Sequence, residues 1–151
     1  MAIFKLIHLL SIVIWVGGMF FAYVVLRPSA AEILQPPERL QLWNTVFSLF
    51  LKWVWVTSVL TVLTGISMII QFGGMANVPH YIHAMLMLGT IMLGIFVYVY
   101  FGQYRNFSIS VAAKDWTKAA AILATIRKLI ATNLLIGISI FAIVELSRYI
   151  L

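Results

Sequence analysis

A chain of 151 residues that is 64% apolar and 9% charged does not have the composition of a water-soluble globule, which is about 45–50% apolar and about 25% charged. Its length accommodates one bundle of four spans of about 20 residues, the number a ~30 Å hydrocarbon layer demands, and not two domains. The absence of cysteine excludes disulfides, thiolate metal centres and cysteine nucleophiles, while the net charge of +6 bears first on orientation in a membrane.

The first apolar run covers residues 3–26, interrupted by Lys5, His8 and Ser11, and meets Arg27-Pro28. It predicts a spanning helix with a proline stop. The run exceeds the ~7–15-residue core of a secretory signal, so it is expected to be retained. Pro36-Pro37-Glu38-Arg39 favours a helix start, and Leu40, Trp43, Val46, Phe47 and Phe50 keep helical spacing; this stretch reads as an interfacial lead-in. The second span is expected over residues 52–72, with Trp53 and Trp55 at headgroup level. The short glycine-rich turn at residues 73–79 makes a third span, 79–101, antiparallel to the second. Residues 102–127 are polar and helix-prone, and the fourth span covers 128–147. The fold class is therefore all-α, an integral membrane four-helix bundle.

Arg27, Arg39, Lys52, Arg105, Lys114, Lys118, Arg127 and Lys128 fall on one side of these spans, and only Lys5 and Arg148 on the other. Basic residues near helix ends are retained in the cytoplasm. Both termini and the glycine-rich turn are thus expected on the periplasmic side of a bacterial inner membrane.

Shifting the chain by 75 positions lays Ile7-His8 on Ile82-His83, Tyr23-Val24 on Tyr98-Val99, Lys52 on Arg127 and Thr57 on Thr132. This suggests two parallel helix-pair repeats, 1–75 and 76–151, related by an axis along the membrane normal. His8 and His83 then become depth-matched mates. Ionisable side chains in hydrocarbon are costly and mark functional sites by default, although a histidine that bonds a neighbouring helix needs no ligand.

Trp15 and Gly18 share a helical face with His8, and Thr90 and Gly94 share one with His83. The small residues leave room for a flat guest, so haem b between two imidazoles is the leading cofactor, with an electron-transfer role at the outer face. Copper is the alternative, with Met68, His80 and Met85 near the same level, since thioether and imidazole suit Cu(I). A structural subunit without a cofactor is the third reading. Glu145 could orient a histidine or pair with Arg148. Hydrolase, kinase, glycosidase and nucleic-acid functions have no residues to support them. The expected partners are the lipid bilayer, an unidentified redox protein and a second copy of the chain in a homodimer.

The segments His8-x6-Trp15-x-Gly17-Gly18-Met19-Phe20 and Tyr81-Ile82-His83-Ala84-Met85 resemble the small CopD-like (copper-resistance D) membrane proteins. They are more distantly similar to the HemJ-type protoporphyrinogen oxidases. The resemblance implies a four-helix inner-membrane bundle, a b-type haem or copper, and for the HemJ branch an oxidoreductase acting on protoporphyrinogen IX. The arginine that opens the last helix in that pattern corresponds to Arg127. Met85 stands where the HemJ pattern has a lysine, and Ile130-Ala131-Thr132-Asn133 where it has Asn-Glu-Val-Pro.

Overall fold

Hydrocarbon offers no partner to a free backbone N–H or C=O, so an apolar chain crossing it must close these bonds inside helices. The computed structural model, which describes residues 1–150 in backbone and 1–147 in side chain, does so almost throughout, with no strand among the described residues. Four helices are long and apolar enough to cross a membrane: α1 (Ala2–Ile33), α2 (Pro36–Gln71), α3 (His80–Ala112) and α4 (Trp116–Ile150). They make an all-helical membrane four-helix bundle. The predicted pairing of Glu145 with Arg148 lies outside the described side chains.

The helices run well beyond the predicted spans. Arg27-Pro28 does not end α1, because six residues, Phe21–Leu26, take a π-helical form just ahead of it. The Arg27 N–H bonds five residues back to the Ala22 carbonyl, and Ser29 Oγ donates to the Val25 carbonyl at 2.8 Å. A proline supplies no N–H and crowds the preceding turn; the wider π turn and the serine hydroxyl carry the helix past it. The expected interfacial lead-in is likewise the continuous first half of α2. With 36 residues, α2 is about 54 Å long and protrudes from a ~30 Å hydrocarbon layer.

That protruding half is held by an aromatic cluster. Phe47, 1% exposed, lies 5.2 Å from the Trp43 ring, 6.0 Å from Phe107 and 6.2 Å from Tyr104, with mainly edge-to-face geometry of the kind such rings prefer. Trp53 faces outward, whereas Trp55 packs inward, 5.0 Å from Phe96 and 5.5 Å from Tyr100.

The two halves share a plan but not the 75-residue register. Their π segments begin at Phe21 and Val99, 78 positions apart, and their second helices at Pro36 and Trp116, 80 apart. His8 lies six residues past the start of α1, His83 only three past the start of α3. His83 therefore sits about 4.5 Å nearer its own helix end than His8 does.

α1 packs chiefly on α2, and α3 on α4, with α4 also touching α1 and α2. Close approach depends on two glycines. A methyl on Gly18 would run into the Phe50 ring, and one on Gly137 would sit 2.8 Å from Val16 Cγ2 and 3.4 Å from Met92 Cε. Asn133 Nδ2 donates to the Met92 carbonyl at 3.3 Å, tying α4 to α3. Gly137→Ala is expected to lower the melting temperature in detergent, at a cost of about 1–3 kcal/mol, because Val16 has no flexible end to yield. Gly94→Ala, with nothing within 4 Å, should leave it unchanged or raise it; equal losses in the two variants would contradict this packing.

Candidate functional site

The half of the bundle that carries the N-terminus and the 73–79 turn is hollow. A cavity of about 320 Å³ opens between all four helices, at the lower end of the range for small-ligand sites. α1 contributes His8, Ile12, Trp15 and Val16; α2 contributes Ser58, Thr61, Gly65, Met68 and Phe72; α3 contributes Ile82, Met85, Thr90 and Met92; α4 contributes Gly137 and Ile140. The wall is overwhelmingly apolar, so its few polar atoms decide its chemistry.

His8 is buried, at 8% exposure, and is fixed to α2. Its Nδ1 lies 3.0 Å from the Thr61 carbonyl and 3.0 Å from Thr64 Oγ1. A carbonyl can only accept, so Nδ1 carries the proton. The Thr64 hydroxyl donates to the Leu60 carbonyl at 2.6 Å, leaving its oxygen to accept from His8. The imidazole is thus held as the Nδ1–H tautomer, and Nε2 keeps its lone pair and has no hydrogen bond among the described residues. Metal-binding histidines are commonly oriented in this way, by a bond from the second nitrogen to a backbone carbonyl. Gly65 faces the ring, and a Cβ there would lie 3.4 Å from His8 Cε1, an ordinary van der Waals contact.

The remaining polar groups of the wall are mostly committed. Ser58 Oγ donates to the Trp55 carbonyl at 3.0 Å and Thr90 Oγ1 to the Leu86 carbonyl at 2.8 Å. Thr61 Oγ1 is buried without a hydrogen-bond partner. The cavity wall therefore carries the His8 imidazole and the methionine side chains of Met68, Met85 and Met92.

Of the predicted site residues, His8, Trp15, Thr90, Met68 and Met85 come together on this wall. The others do not. His83 is outward-facing, its Nδ1 3.4 Å from the Pro79 carbonyl of its own helical turn, and its ring is 6.2 Å from that of His80, which is also exposed. Neither lines the cavity. Gly18 packs under Phe50, and Gly94 faces outward. Among the described residues no three His, Asp or Glu side chains converge. The expected facing pair of imidazoles is thus replaced by one imidazole among methionines, because His83 lies on the outer face of α3 while its neighbours Ile82 and Met85 face the cavity.

Sequence reasoning did not single out Thr61, Thr64 as a partner of His8, or Met92. The spacing Thr61, Thr64, Gly65, Met68, Phe72 was the available signal, since it puts two hydroxyls, a gap and a thioether on one helical face.

The family model of copper resistance protein D matches residues 44–146. The match begins inside α2, so α1 and His8 lie ahead of it. No curated protein and no solved structure matches the chain.

With ¹⁵N-histidine label in detergent micelles at neutral pH, one histidine should show a protonated Nδ1 and an unprotonated Nε2, and Thr64→Val should perturb that signal alone. Finding His8 as the Nε2–H tautomer would contradict the geometry.

Proposed function

We propose, from the premise that the chain belongs to the copper resistance protein D family, that it handles copper in the bacterial inner membrane. In this reading it takes Cu(I) into the hollow half of the bundle. The observation that carries it is the fixed tautomer of His8, whose bare Nε2 serves a cavity also lined by Met68, Met85 and Met92. Imidazole and thioether are the neutral, soft-to-borderline donors that suit Cu(I), and they discriminate against the hard cations that need oxygen ligands. The metal is cargo here. The protein's part is to hold one nitrogen in place, supply polarisable sulfurs on flexible stems, and surround both with a wall that excludes water.

Charge bias supports the orientation. Eight of the ten Lys/Arg flank the far end of the bundle, so the cavity end and both termini face the periplasm under the positive-inside rule. A haem b between His8 and His83 is less well supported, since it requires both imidazoles on one cavity and only His8 lines it.

Anaerobic titration of the purified protein with Cu(I) against a chromophoric chelator tests the proposal, with Ag(I) as a redox-inert check. One ion per chain is expected. His8→Ala and Met68→Leu should weaken binding by more than Thr64→Val, which removes only an orienting partner and should cost about tenfold. His83→Ala should change nothing. Undiminished affinity in His8→Ala would overturn the proposal; sharp reduced-minus-oxidised haem bands that need both His8 and His83 would replace it with the cytochrome reading.

A further inference from the structure

At the other end of the bundle three arginines from three helices converge. Arg27 follows the π segment of α1, Arg39 lies in the first turns of α2, and Arg127 lies on α4. All three are half-buried. Arg127 is within electrostatic reach of both other arginines and of Tyr23, and the Arg27 guanidinium stands over the Tyr23 ring, 5.0 Å from its centroid. Like charges brought together where water is partly excluded repel one another, more strongly than they would on an open surface.

No carboxylate relieves that repulsion. Among the described residues no ion pair joins these arginines to an acidic side chain. Glu38 is turned to the Gln35 N–H at 3.3 Å, and Asp115 accepts from the Lys118 N–H at 3.1 Å. Glu32 is exposed, and Glu145 lies 18 residues from Arg127 along α4, about 27 Å away. Three cations thus stand at the edge of the apolar spans, with no acidic side chain paired to them among the described residues.

We propose that Arg27, Arg39 and Arg127 form an anion site whose ligand is a phosphate group, supplied by the headgroup of an anionic phospholipid. Guanidinium forks match phosphate oxygens two at a time. Arg27 ends the apolar run of α1 and Arg127 precedes that of α4, which is the headgroup level, and basic pockets between helices on the cytoplasmic side bind lipid headgroups. The Tyr23 ring holds one guanidinium in place by cation–π attraction.

Native mass spectrometry and melting curves of the detergent-purified protein, doped with phosphatidylglycerol or phosphatidylcholine, test this. Phosphatidylglycerol should be retained and should raise the melting temperature; phosphatidylcholine should do neither. Arg39→Gln and Arg127→Gln should each weaken retention about fivefold, while Arg105→Gln, an exposed arginine, should not. Arg39→Lys keeps the charge without the fork and should fold with part of the affinity. Displacement of phosphatidylglycerol by millimolar inorganic phosphate would support the anion site with a soluble source. Equal retention of the two lipids, or an equal loss in Arg105→Gln, would overturn the proposal.

Discussion

An imidazole inside hydrocarbon has one N–H to place, and where it goes decides what the other nitrogen can do. In this bundle the donor of His8 goes to α2, shared between the Thr61 carbonyl and Thr64 Oγ1. The bond satisfies the polar group that would otherwise make burial costly, joins the first two helices, and fixes which nitrogen is left over. Each supporting residue has a distinct part. Thr64 directs its own proton to Leu60 so that its oxygen can accept, and Gly65 lies alongside the ring at contact distance. On the copper reading, a hydrogen bond explicable as helix packing alone thereby presets a ligand.

The two ends of the molecule are built on opposite packing principles. At the arginine end, Trp43, Phe47, Tyr104 and Phe107 fill the interior with interlocked rings, and Phe47 and Phe107 are essentially inaccessible. At the other end a cavity of about 320 Å³ remains, walled mainly by aliphatic side chains and methionines. Dense aromatic packing is rigid and tolerates little change of volume, so the filled end anchors the helices while the hollow end leaves space between them. Methionines at the hollow end fit this division, since unbranched thioethers adapt to a guest more readily than branched side chains do.

Much of this was legible in the sequence. Apolar runs of the length a bilayer requires identified four spans, and the order of charged loops gave the bundle its two distinct ends. The true helix lengths were hidden because their causes are not local. Residues 36–50 look interfacial until Phe47 meets Tyr104 and Phe107, some sixty residues away, and Arg27-Pro28 looks like a stop until a π turn absorbs the proline. The histidine pair was misplaced for a related reason. Matching Ile7-His8 to Ile82-His83 aligns residue types, but the helices are offset by 78 and 80 positions, so the second histidine falls in a helix's first turn. His8, Met68 and Met85 line one cavity, and each could be placed by counting from a span boundary.

The division of the candidate ligands along the chain bears on how such a site works. Met68, Met85 and Met92 lie inside the segment that matches the copper resistance protein D family, whereas His8 is on α1, ahead of it. The thioethers and the orienting Thr61 and Thr64 thus lie within the matched segment, and the one nitrogen comes from α1 ahead of it. Sulfur donors alone make a soft, weakly directional site; an imidazole locked at Nδ1 adds a donor of fixed direction. On the copper reading, the packing of α1 against α2 is therefore what converts an apolar cavity with methionines into a defined ligand set, and any change that loosens that helix contact should act on the site before it acts on the bundle.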